Sequence, residues 1–124
     1  DYFKRVNDSH GHAMGDEVLR GVASALVSAA RREDACGRLG GEEFVLLLDG
    51  CTGETALEVS ERVRAAVAAL HFLAGGESFH VTVSIGVTTI AADAVVSVEQ
   101  ALRAADRALY ASKAAGRDRV SVAS

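Results

Sequence analysis

Residues 35–48 read ACGRLGGEEFVLLL, two short apolar stretches around a pair of glycines, and this stretch decides the fold. Paired glycines between apolar stretches are a hairpin signal. We therefore predict a strand over residues 35–39, a turn at Gly40 and Gly41, and a second strand over residues 44–48.

Two neighbouring carboxylates, Glu42 and Glu43, follow the glycines at the tip of this predicted hairpin. Two adjacent negative charges are unfavourable unless a cation meets them, and a divalent metal carrying a nucleotide is one such partner. The glycines would let a ligand approach the backbone closely. A merely solvated acidic turn has the same sequence, so this stretch alone leaves both interpretations open.

The segments outside the hairpin are predicted from hydrophobic spacing, β-branched content and turn formers. Helices are expected over residues 15–32, 54–70 and 98–114. Strands are expected over residues 79–90 and 119–122, and loops over residues 1–12 and 71–78. Asp16 is the predicted N-cap of the first helix, and Arg31 and Arg32 lie near its predicted end.

The order helix, hairpin, helix, strand, helix, strand favours an α+β fold with helices flanking a mostly antiparallel central sheet. No strand precedes the first predicted helix, although in a split β-α-β layout the first strand lies inside the sheet. We therefore expect residues 1–124 to form one domain that lacks its N-terminal strand and helix.

Composition bounds the class of protein. The chain has 124 residues, is 49% hydrophobic and carries a net charge of −4. This length suits one domain, the apolar content excludes disorder, and the acidic balance argues against nucleic-acid binding. No apolar stretch approaches the roughly 20 residues of a membrane span. Cys36 and Cys51 are too few for a disulfide framework, so we expect a cytoplasmic domain without direct membrane contact.

Three further stretches carry motifs. Residues 1–16 read DYFKRVNDSHGHAMGD, residues 81–87 read VTVSIGV, and residues 108–120 read ALYASKAAGRDRV. Together with GGEEF at residues 40–44, they resemble the GGDEF family of diguanylate cyclases, in the variant with glutamate at the third position of the turn. The resemblance covers essentially the whole chain, and several independent motifs in the expected order make chance a poor explanation.

The sequence departs from the family's pattern at three places. Ser112 stands where the pattern has Ala, and Asp118 stands where it has Asn. The first Asp of the family's D-x-D motif, which binds metal, would lie before Asp1. We therefore expect the domain to belong to a longer polypeptide, and the isolated fragment to be poorly folded or inactive.

The resemblance implies an activity. The family condenses two GTP molecules into cyclic di-GMP and releases two pyrophosphates, with one GTP on each protomer of a homodimer. Each 3′-hydroxyl attacks the α-phosphate of the other GTP. The implied fold is similar to that of nucleotidyl cyclases and polymerase palm domains, with a ferredoxin-like core. Two divalent ions, Mg²⁺ or Mn²⁺, are expected in each active site, where they acidify the hydroxyl and neutralise the leaving group.

The resemblance also implies roles for matching positions. Glu42 is expected to bind metal, and Glu43 to bind metal or activate the attacking hydroxyl. Asn7 and Asp16 are expected to recognise guanine, whose N1–H and N2–H₂ donors one carboxylate can accept together. The residues expected to contact substrate are Phe3, Lys4, Asn7, His12, Asp16, Gly40, Gly41, Lys113 and Arg117. Among them Lys4, Lys113 and Arg117 would contact phosphate, and Lys113 is also assigned to catalysis. The alternatives are a turn residue for Asn7 and a helix cap for Asp16.

A second site is implied just before the hairpin. Many family members carry an R-x-x-D motif that binds the product and inhibits the enzyme. Arg31 and Asp34 match this motif at the family's spacing from Gly40, and Arg62 matches a further arginine of the inhibitory site in some members. An ordinary basic helix end would also place Arg31 here.

Two other functions are compatible with the same resemblance. One is a catalytically inactive cyclic di-GMP receptor, and the other is a dimerisation or signal-relay module. Intact Glu42, Glu43, Asn7 and Asp16 favour the cyclase, because neither alternative needs them. An upstream sensory or regulatory domain is the expected protein partner.

Overall fold

The computed structural model describes residues 1–123, which form four helices and six short strands. Ser124, the last residue of the predicted domain, lies outside the described residues. The helices are α1 Phe3–His10, α2 His12–Ala29, α3 Gly53–Ala68 and α4 Val98–Ala114. The strands are β1 Ala35–Gly40, β2 Glu43–Leu47, β3 Phe72–Ala74, β4 Glu77–Phe79, β5 Ile85–Val87 and β6 Val120–Val122. Within residues 1–123, every helix is too short or too polar to span a lipid bilayer.

The main core joins α1, α2 and α3 to the chain that follows α3. Its buried members are all apolar: Val6, Val18, Val22, Val63, Val67, Phe72 and Val81. Val18 and Val22 are four positions apart on α2, as are Val63 and Val67 on α3, so each pair lies on one helix face. Val67 is completely buried, and burying a side chain of this size contributes about 1.5–3 kcal/mol.

The prediction of a loop over residues 1–12 is wrong, because α1 occupies most of that segment. The α1 sequence FKRVNDSH is polar and contains residues of low helix propensity. Its Val6 is nevertheless buried in the core, and Phe3, one turn earlier, packs against the same core. Burial of this one face stabilises a helix that local propensity disfavours. Gly11, with a φ of 87°, separates α1 from α2.

The first long helix, α2, both begins and ends earlier than predicted. It begins at His12 with Gly11 as its N-cap, and it ends at Ala29. The predicted capping role of Asp16 is therefore wrong, because this residue lies in the second turn of the helix. The Asp16 carboxylate is exposed and has no helix end to cap, which leaves it available to another partner.

The predicted hairpin is confirmed, with β1 and β2 antiparallel. Gly40 pairs with Glu43, so Gly41 and Glu42 form a two-residue connection. The pairing register shifts between Arg38 and Gly40, which marks a β-bulge next to the turn. Because bulges bend a strand and redirect its side chains, this one sets the direction in which the acidic turn leaves the strands.

The predicted loop over residues 71–78 is wrong, because β3 and β4 form a second antiparallel hairpin there. Gly75 and Gly76 connect the two strands with φ values of 59° and 84°. Two consecutive positive φ values are the geometry of a tight two-residue hairpin turn, which glycine adopts without strain. Buried Phe72 anchors this hairpin in the core.

The single central sheet of the prediction is divided in the structure. Residues 1–123 contain three two-stranded sheets, of which β1–β2 and β3–β4 are antiparallel and β5–β6 is parallel. The strand predicted over residues 79–90 survives only as the end of β4 and as β5. A strand needs a neighbour to complete its hydrogen-bond ladder, and residues 80–84 have none in the described part of the chain. The strand predicted over residues 119–122 is confirmed as β6.

The alternation predicted for this strand persists where the ladder does not. Val81 and Val83 face the core. The hydroxyl groups of Thr82 and Ser84 point the other way and donate to the carboxylate of Asp1, at 2.8 Å and 2.7 Å. The segment therefore presents one apolar face and one polar face, as a half-buried strand does.

The predicted helices over residues 54–70 and 98–114 are confirmed as α3 and α4. α4 begins with a capping box, in which Ser97 and Gln100 each bind the other's backbone N–H. The helix packs directly on β5, because a Cβ built on Gly86 would lie 2.9 Å from Cα of Leu109. This close approach of backbones fixes the position of α4.

The serine that departs from the family's pattern is paired inside the fold. Ser112 is completely buried on α4. Its hydroxyl donates to the carbonyl oxygen of Ile85 at 3.0 Å and lies 2.7 Å from the hydroxyl oxygen of Ser121. These bonds satisfy the buried hydroxyl and tie α4 to both β5 and β6.

Candidate active site

The acidic turn between β1 and β2 is braced from within the hairpin. Nε of Arg38 donates to the carbonyl oxygen of Gly41 at 2.9 Å, and Nη2 donates to the same oxygen. Gly41 has a φ of 35°, where a side chain would be strained. A Cβ built on Gly40 would meet no protein atom within 4 Å. The packing of the described residues therefore gives no reason for glycine at position 40, whereas a ligand close to the backbone would.

The two turn carboxylates have the chemistry of metal ligands. Glu42 and Glu43 are exposed, and neither joins an ion pair among residues 1–123. Mg²⁺ prefers oxygen ligands and is commonly held by one or two carboxylates, with water and substrate phosphate completing its shell. The described residues contain no group of three or more His, Cys, Asp or Glu side chains arranged to hold a metal. The two turn carboxylates match the number that commonly holds Mg²⁺.

Asn7 contributes an unpaired acceptor on α1. Its Oδ1 atom is buried and has no hydrogen-bond partner among the described residues. A Cβ built on Gly15 would collide with this atom and would lie 3.2 Å from Cζ of Phe3. Glycine at position 15 is thus required for the Asn7 side chain to lie against α2. A buried acceptor without a partner costs free energy, and packing among the described residues does not repay that cost.

Asp16 follows Gly15 directly, which places its backbone beside the Asn7 side chain. It lines a cavity of about 490 Å³ between α2 and the β1–β2 hairpin, together with Leu19, Arg38 and Phe44. The walls are largely apolar, and the charged residues that line them are Asp16, Arg20 and Arg38. This combination suits a flat heterocycle that carries hydrogen-bonding groups on its rim.

The opening and closing motifs meet the acidic turn around Asp1. The backbone nitrogen of Asp1 donates to the carbonyl oxygen of Thr82 at 2.8 Å. The charges of Lys113, Glu42 and Arg117 all act at this nitrogen. Because Lys113, Glu42 and Arg117 all act on one group, the structure brings these three predicted site residues into one region.

Arg117 lies against an aromatic ring from the opening motif. Its guanidinium carbon is 4.5 Å from the centroid of the Tyr2 ring, and that of Arg5 is 4.1 Å from the same centroid. Nη1 of Arg117 also lies 3.5 Å from the Tyr2 hydroxyl. Cation–π contacts of this kind are worth about 0.5–1 kcal/mol at exposed sites. Tyr2 therefore holds Arg117 near the opening motif.

Among residues 1–123, no hydrogen bond or ion pair holds the side chains of the remaining predicted substrate contacts. Lys4 is exposed on α1, and His12 is exposed at the start of α2. Lys113 is half-buried in the last turn of α4. Phe3 is half-buried and packs on the core, so packing accounts for this residue without a ligand.

The R-x-x-D motif forms a compact internal pair. Asp34 accepts hydrogen bonds from the backbone N–H of Arg31 at 2.8 Å and from its Nη2 at 3.2 Å. The side chain of Asp34 is 0% exposed and that of Arg31 is 48% exposed. The hydrogen bonds from Arg31 lower the pKa of Asp34. Asp34 thus holds Arg31, which keeps a face toward solvent.

Arg62 stands apart from this pair. It is exposed on α3, and in the part of the chain that the structure describes, no ion pair joins it to Asp34. The structure therefore brings two of the three predicted inhibitory residues into contact, and among residues 1–123 it shows no ion pair from the third to them.

Three residues of the site region were not singled out from sequence. Tyr2 supports Arg117, Arg38 braces the turn, and the Asp1 carboxylate accepts the backbone N–H of Asp118 at 3.2 Å. Arg38 lies within the quoted hairpin, and its position beside a glycine turn was an available signal. The other two act over more than 100 sequence positions, and no local pattern announces such contacts.

The chain matches known proteins over nearly its whole length. The profile of the family described as "Diguanylate cyclase, GGDEF domain" matches residues 1–119. Diguanylate cyclase A of Treponema denticola is 41% identical over 122 residues, which is 98% of this chain and 33% of that relative. The chain thus spans about a third of the length of this curated relative.

Two solved structures have the same fold. The GGDEF domain of DgcB from Caulobacter crescentus, in complex with c-di-GMP, has a TM-score of 0.93 at 34% identity, over 99% of this chain and 72% of that chain. The active GGEEF domain of a diguanylate cyclase from Vibrio cholerae has a TM-score of 0.90 at 35% identity, over 100% of this chain and 78% of that chain. These likenesses confirm the predicted α+β, palm-like fold class. On the matched profile and these relatives, the chain belongs to the GGDEF family of diguanylate cyclase domains.

Proposed function

We propose that this domain condenses two GTP molecules into cyclic di-GMP and two pyrophosphates, as half of a homodimer. The observation that carries the proposal is the unpaired Oδ1 of Asn7, which lies against Gly15, the residue before Asp16, in the same domain as a braced acidic turn. The first feature suits a guanine base and the second suits a metal-bound triphosphate.

Guanine recognition follows from hydrogen-bond complementarity. Guanine carries N1–H and N2–H₂ donors on one edge, whereas adenine has an acceptor at N1 and lacks the 2-amino group. Oδ1 of Asn7 and the carboxylate of Asp16 are acceptors, so they pair with guanine and leave adenine unmatched. A site whose buried polar groups are left unpaired by the wrong ligand discriminates strongly.

The acidic turn is the proposed site for metal. Glu42 and Glu43 would hold Mg²⁺ or Mn²⁺, with two ions expected for each active site. When bound, such ions lower the pKa of the attacking hydroxyl and neutralise charge on the leaving pyrophosphate. Glycine at position 40 leaves room for the nucleotide beside the turn.

Cations near the turn would hold the phosphates. The charges of Lys113, Arg117 and Glu42 all act at the backbone nitrogen of Asp1. Lys4 is exposed on α1. Phosphoryl transfer depends mainly on positioning and on stabilising developing negative charge. Lys113 is the residue proposed to stabilise that charge, and Tyr2 keeps Arg117 oriented.

The reaction needs two copies of the chain, because each copy would hold one GTP. The 3′-hydroxyl oxygen of one GTP forms a bond to the α-phosphorus of the other, and the bond between α-phosphorus and the bridging oxygen breaks. Pyrophosphate leaves with that oxygen. The hydroxyl proton passes to the Glu43 carboxylate and then to solvent. The second condensation repeats these steps in the opposite direction and closes the ring.

Product inhibition is the proposed role of the R-x-x-D pair. The half-exposed guanidinium of Arg31 is held by Asp34 through Nε and Nη2, and its Nη1 is the donor proposed to bind phosphate or the acceptor edge of guanine. Arg62 on α3 would add a second cation. The c-di-GMP complex of the DgcB domain supports this part of the proposal.

The experiment separates synthesis from product binding in the full-length protein. Glu43→Gln is expected to lower cyclic di-GMP synthesis by about 100-fold or more, since a general base contributes that much, and to leave cyclic di-GMP binding intact. Arg31→Ala is expected to keep synthesis and to lose inhibition. Glu58→Gln, an exposed carboxylate on α3, is the matched control and should change neither. If Glu43→Gln synthesises cyclic di-GMP at the wild-type rate, the proposed chemistry is contradicted. If the wild-type protein binds cyclic di-GMP tightly but makes none, the domain is a receptor.

A further inference from the structure

The loop between α4 and β6 is held by an ion pair that reaches it from α3. Nη1 of Arg64 lies 2.9 Å from Oδ1 of Asp118, 54 positions along the chain. Every other ion pair within residues 1–123 joins residues no more than four positions apart. This pair is therefore the one charge contact of the described chain that fixes two distant elements relative to each other.

The arginine is held in place before it reaches the loop. Nε and Nη2 of Arg64 donate to the carboxylate of Glu61, one turn earlier on α3, at 3.2 Å and 3.1 Å. Hydrogen bonds to Glu61 and then to Asp118 raise the pKa of Arg64. Its side chain is 25% exposed. A planar guanidinium fixed along one edge presents its other edge in a defined direction, which a lysine cannot do.

The loop that receives this arginine has an unusual backbone. Arg117 and Asp118 have φ values of 64° and 48°, in the left-handed region. Asp adopts this region more readily than most residues, whereas Arg does so rarely. Such conformations persist only where surrounding contacts hold them. The contacts here are the Arg64 ion pair, the Asp1 carboxylate on the N–H of Asp118, and Tyr2 on Arg117.

We propose that Arg64 and Asp118 are positioning residues, which hold the α4–β6 loop so that Arg117 faces the nucleotide phosphates. This inference rests on the proposed function, in which Arg117 contacts phosphate. Asp118 stands where the family's pattern has Asn. An asparagine at this position keeps the left-handed backbone and the N–H bond to Asp1, and it removes only the charge. The family's pattern therefore suggests the least disruptive test variant, Asp118→Asn.

The size of the effect follows from exposure. The Asp118 side chain is 43% exposed and that of Arg64 is 25% exposed. Pairs of this kind contribute modestly, so loss of the pair is expected to raise the KM for GTP by about 2- to 5-fold. Neither residue touches the reacting atoms, so kcat is expected to stay within about 2-fold of wild type.

The test uses the full-length protein with Arg64→Gln, Asp118→Asn and the double variant. Steady-state synthesis gives KM and kcat, and titration with GTP and Ca²⁺ in place of Mg²⁺ gives the dissociation constant without turnover. Each single variant is expected to raise KM and the dissociation constant together. The double variant should be no worse than either single variant, because either single change already removes the attraction between the two charges. Arg64→Lys, which keeps a cation but not the bidentate hold on Glu61, should lie between.

Arg103→Gln is the matched control. Arg103 is a more exposed helix arginine whose partner, Glu99, lies on the same helix, so its loss should leave KM unchanged. Unchanged KM in folded Asp118→Asn and Arg64→Gln, or effects that add in the double variant, would overturn the inference. A purely structural role would lower the melting temperature and the active fraction with KM constant. If the wild-type protein binds GTP but makes no cyclic di-GMP, the proposed function is contradicted. The GTP dissociation constants of the wild type and the variants would still decide the role of the Arg64–Asp118 pair.

Discussion

Replacing Gly40 by alanine is expected to separate stability from activity. A Cβ built at this position meets no protein atom within 4 Å, and the backbone lies outside the left-handed region. The added methyl group therefore displaces nothing, and it restricts the unfolded chain, which stabilises a protein by about 0.4–1 kcal/mol. The free energy of unfolding of Gly40→Ala should equal or exceed that of the wild type.

The same methyl group enters the space that the proposed function gives to the nucleotide. A displacement of reacting groups by about 1 Å costs about 100-fold in rate. Synthesis of cyclic di-GMP by Gly40→Ala should fall by that order while the domain stays folded. Loss of activity without loss of stability is the signature of a glycine kept for a ligand.

Gly86→Ala is the matched control for stability. Its Cβ would lie 2.9 Å from Cα of Leu109, on helix backbone that cannot move alone. Overpacking of this kind costs about 1–3 kcal/mol. Hydrogen–deuterium exchange of this domain in the full-length protein measures both changes in stability. The reasoning is refuted if Gly40→Ala is as destabilised as Gly86→Ala. It is also refuted if Gly40→Ala synthesises cyclic di-GMP at the wild-type rate.

Two further predictions concern contacts away from the turn. Hydrogen bonds from Arg31 lower the pKa of Asp34. The ionised carboxylate therefore stabilises the fold fully at pH values above its ordinary pKa of about 3.9. This stabilisation is lost as the pH falls through the lowered pKa of the folded state. The difference in unfolding free energy between wild type and Asp34→Asn should therefore shrink from about pH 6 to about pH 2, and a difference that stays constant with pH would contradict this. Ser112→Ala removes the partner of the Ser121 hydroxyl and should cost about 1–3 kcal/mol, with part of that recovered when Ser121→Ala is added. Chemical denaturation measures both variants, and a double variant less stable than Ser112→Ala would count against the pairing.

Local signals account for the parts of the fold that the sequence predicts well. The β1–β2 hairpin follows from its glycine pair, and α4 follows from apolar spacing and a capping box. The second hairpin carries the same glycine signal at Gly75 and Gly76, but its strands are only three residues long. The helix α1 was missed for a different reason, because burial of Val6 rather than propensity stabilises it.

The candidate site also has one part that the sequence predicts and one part that depends on the whole fold. Motif spacing identifies the turn and the Asn7–Asp16 pair, and the structure adds the unpaired Oδ1 and the glycine that admits it. The partners of Arg117 and Asp118 lie far away in sequence and come together only through packing. Residue types in a motif are readable from sequence, whereas the contacts that orient them depend on the whole fold.

Product identity is the most direct test of the central claim. The full-length protein is incubated with GTP and Mg²⁺, nucleotides are separated by chromatography, and pyrophosphate is quantified. The account predicts cyclic di-GMP with two pyrophosphates for each molecule formed. Unchanged GTP, or a product made from a single GTP with one pyrophosphate, would contradict it.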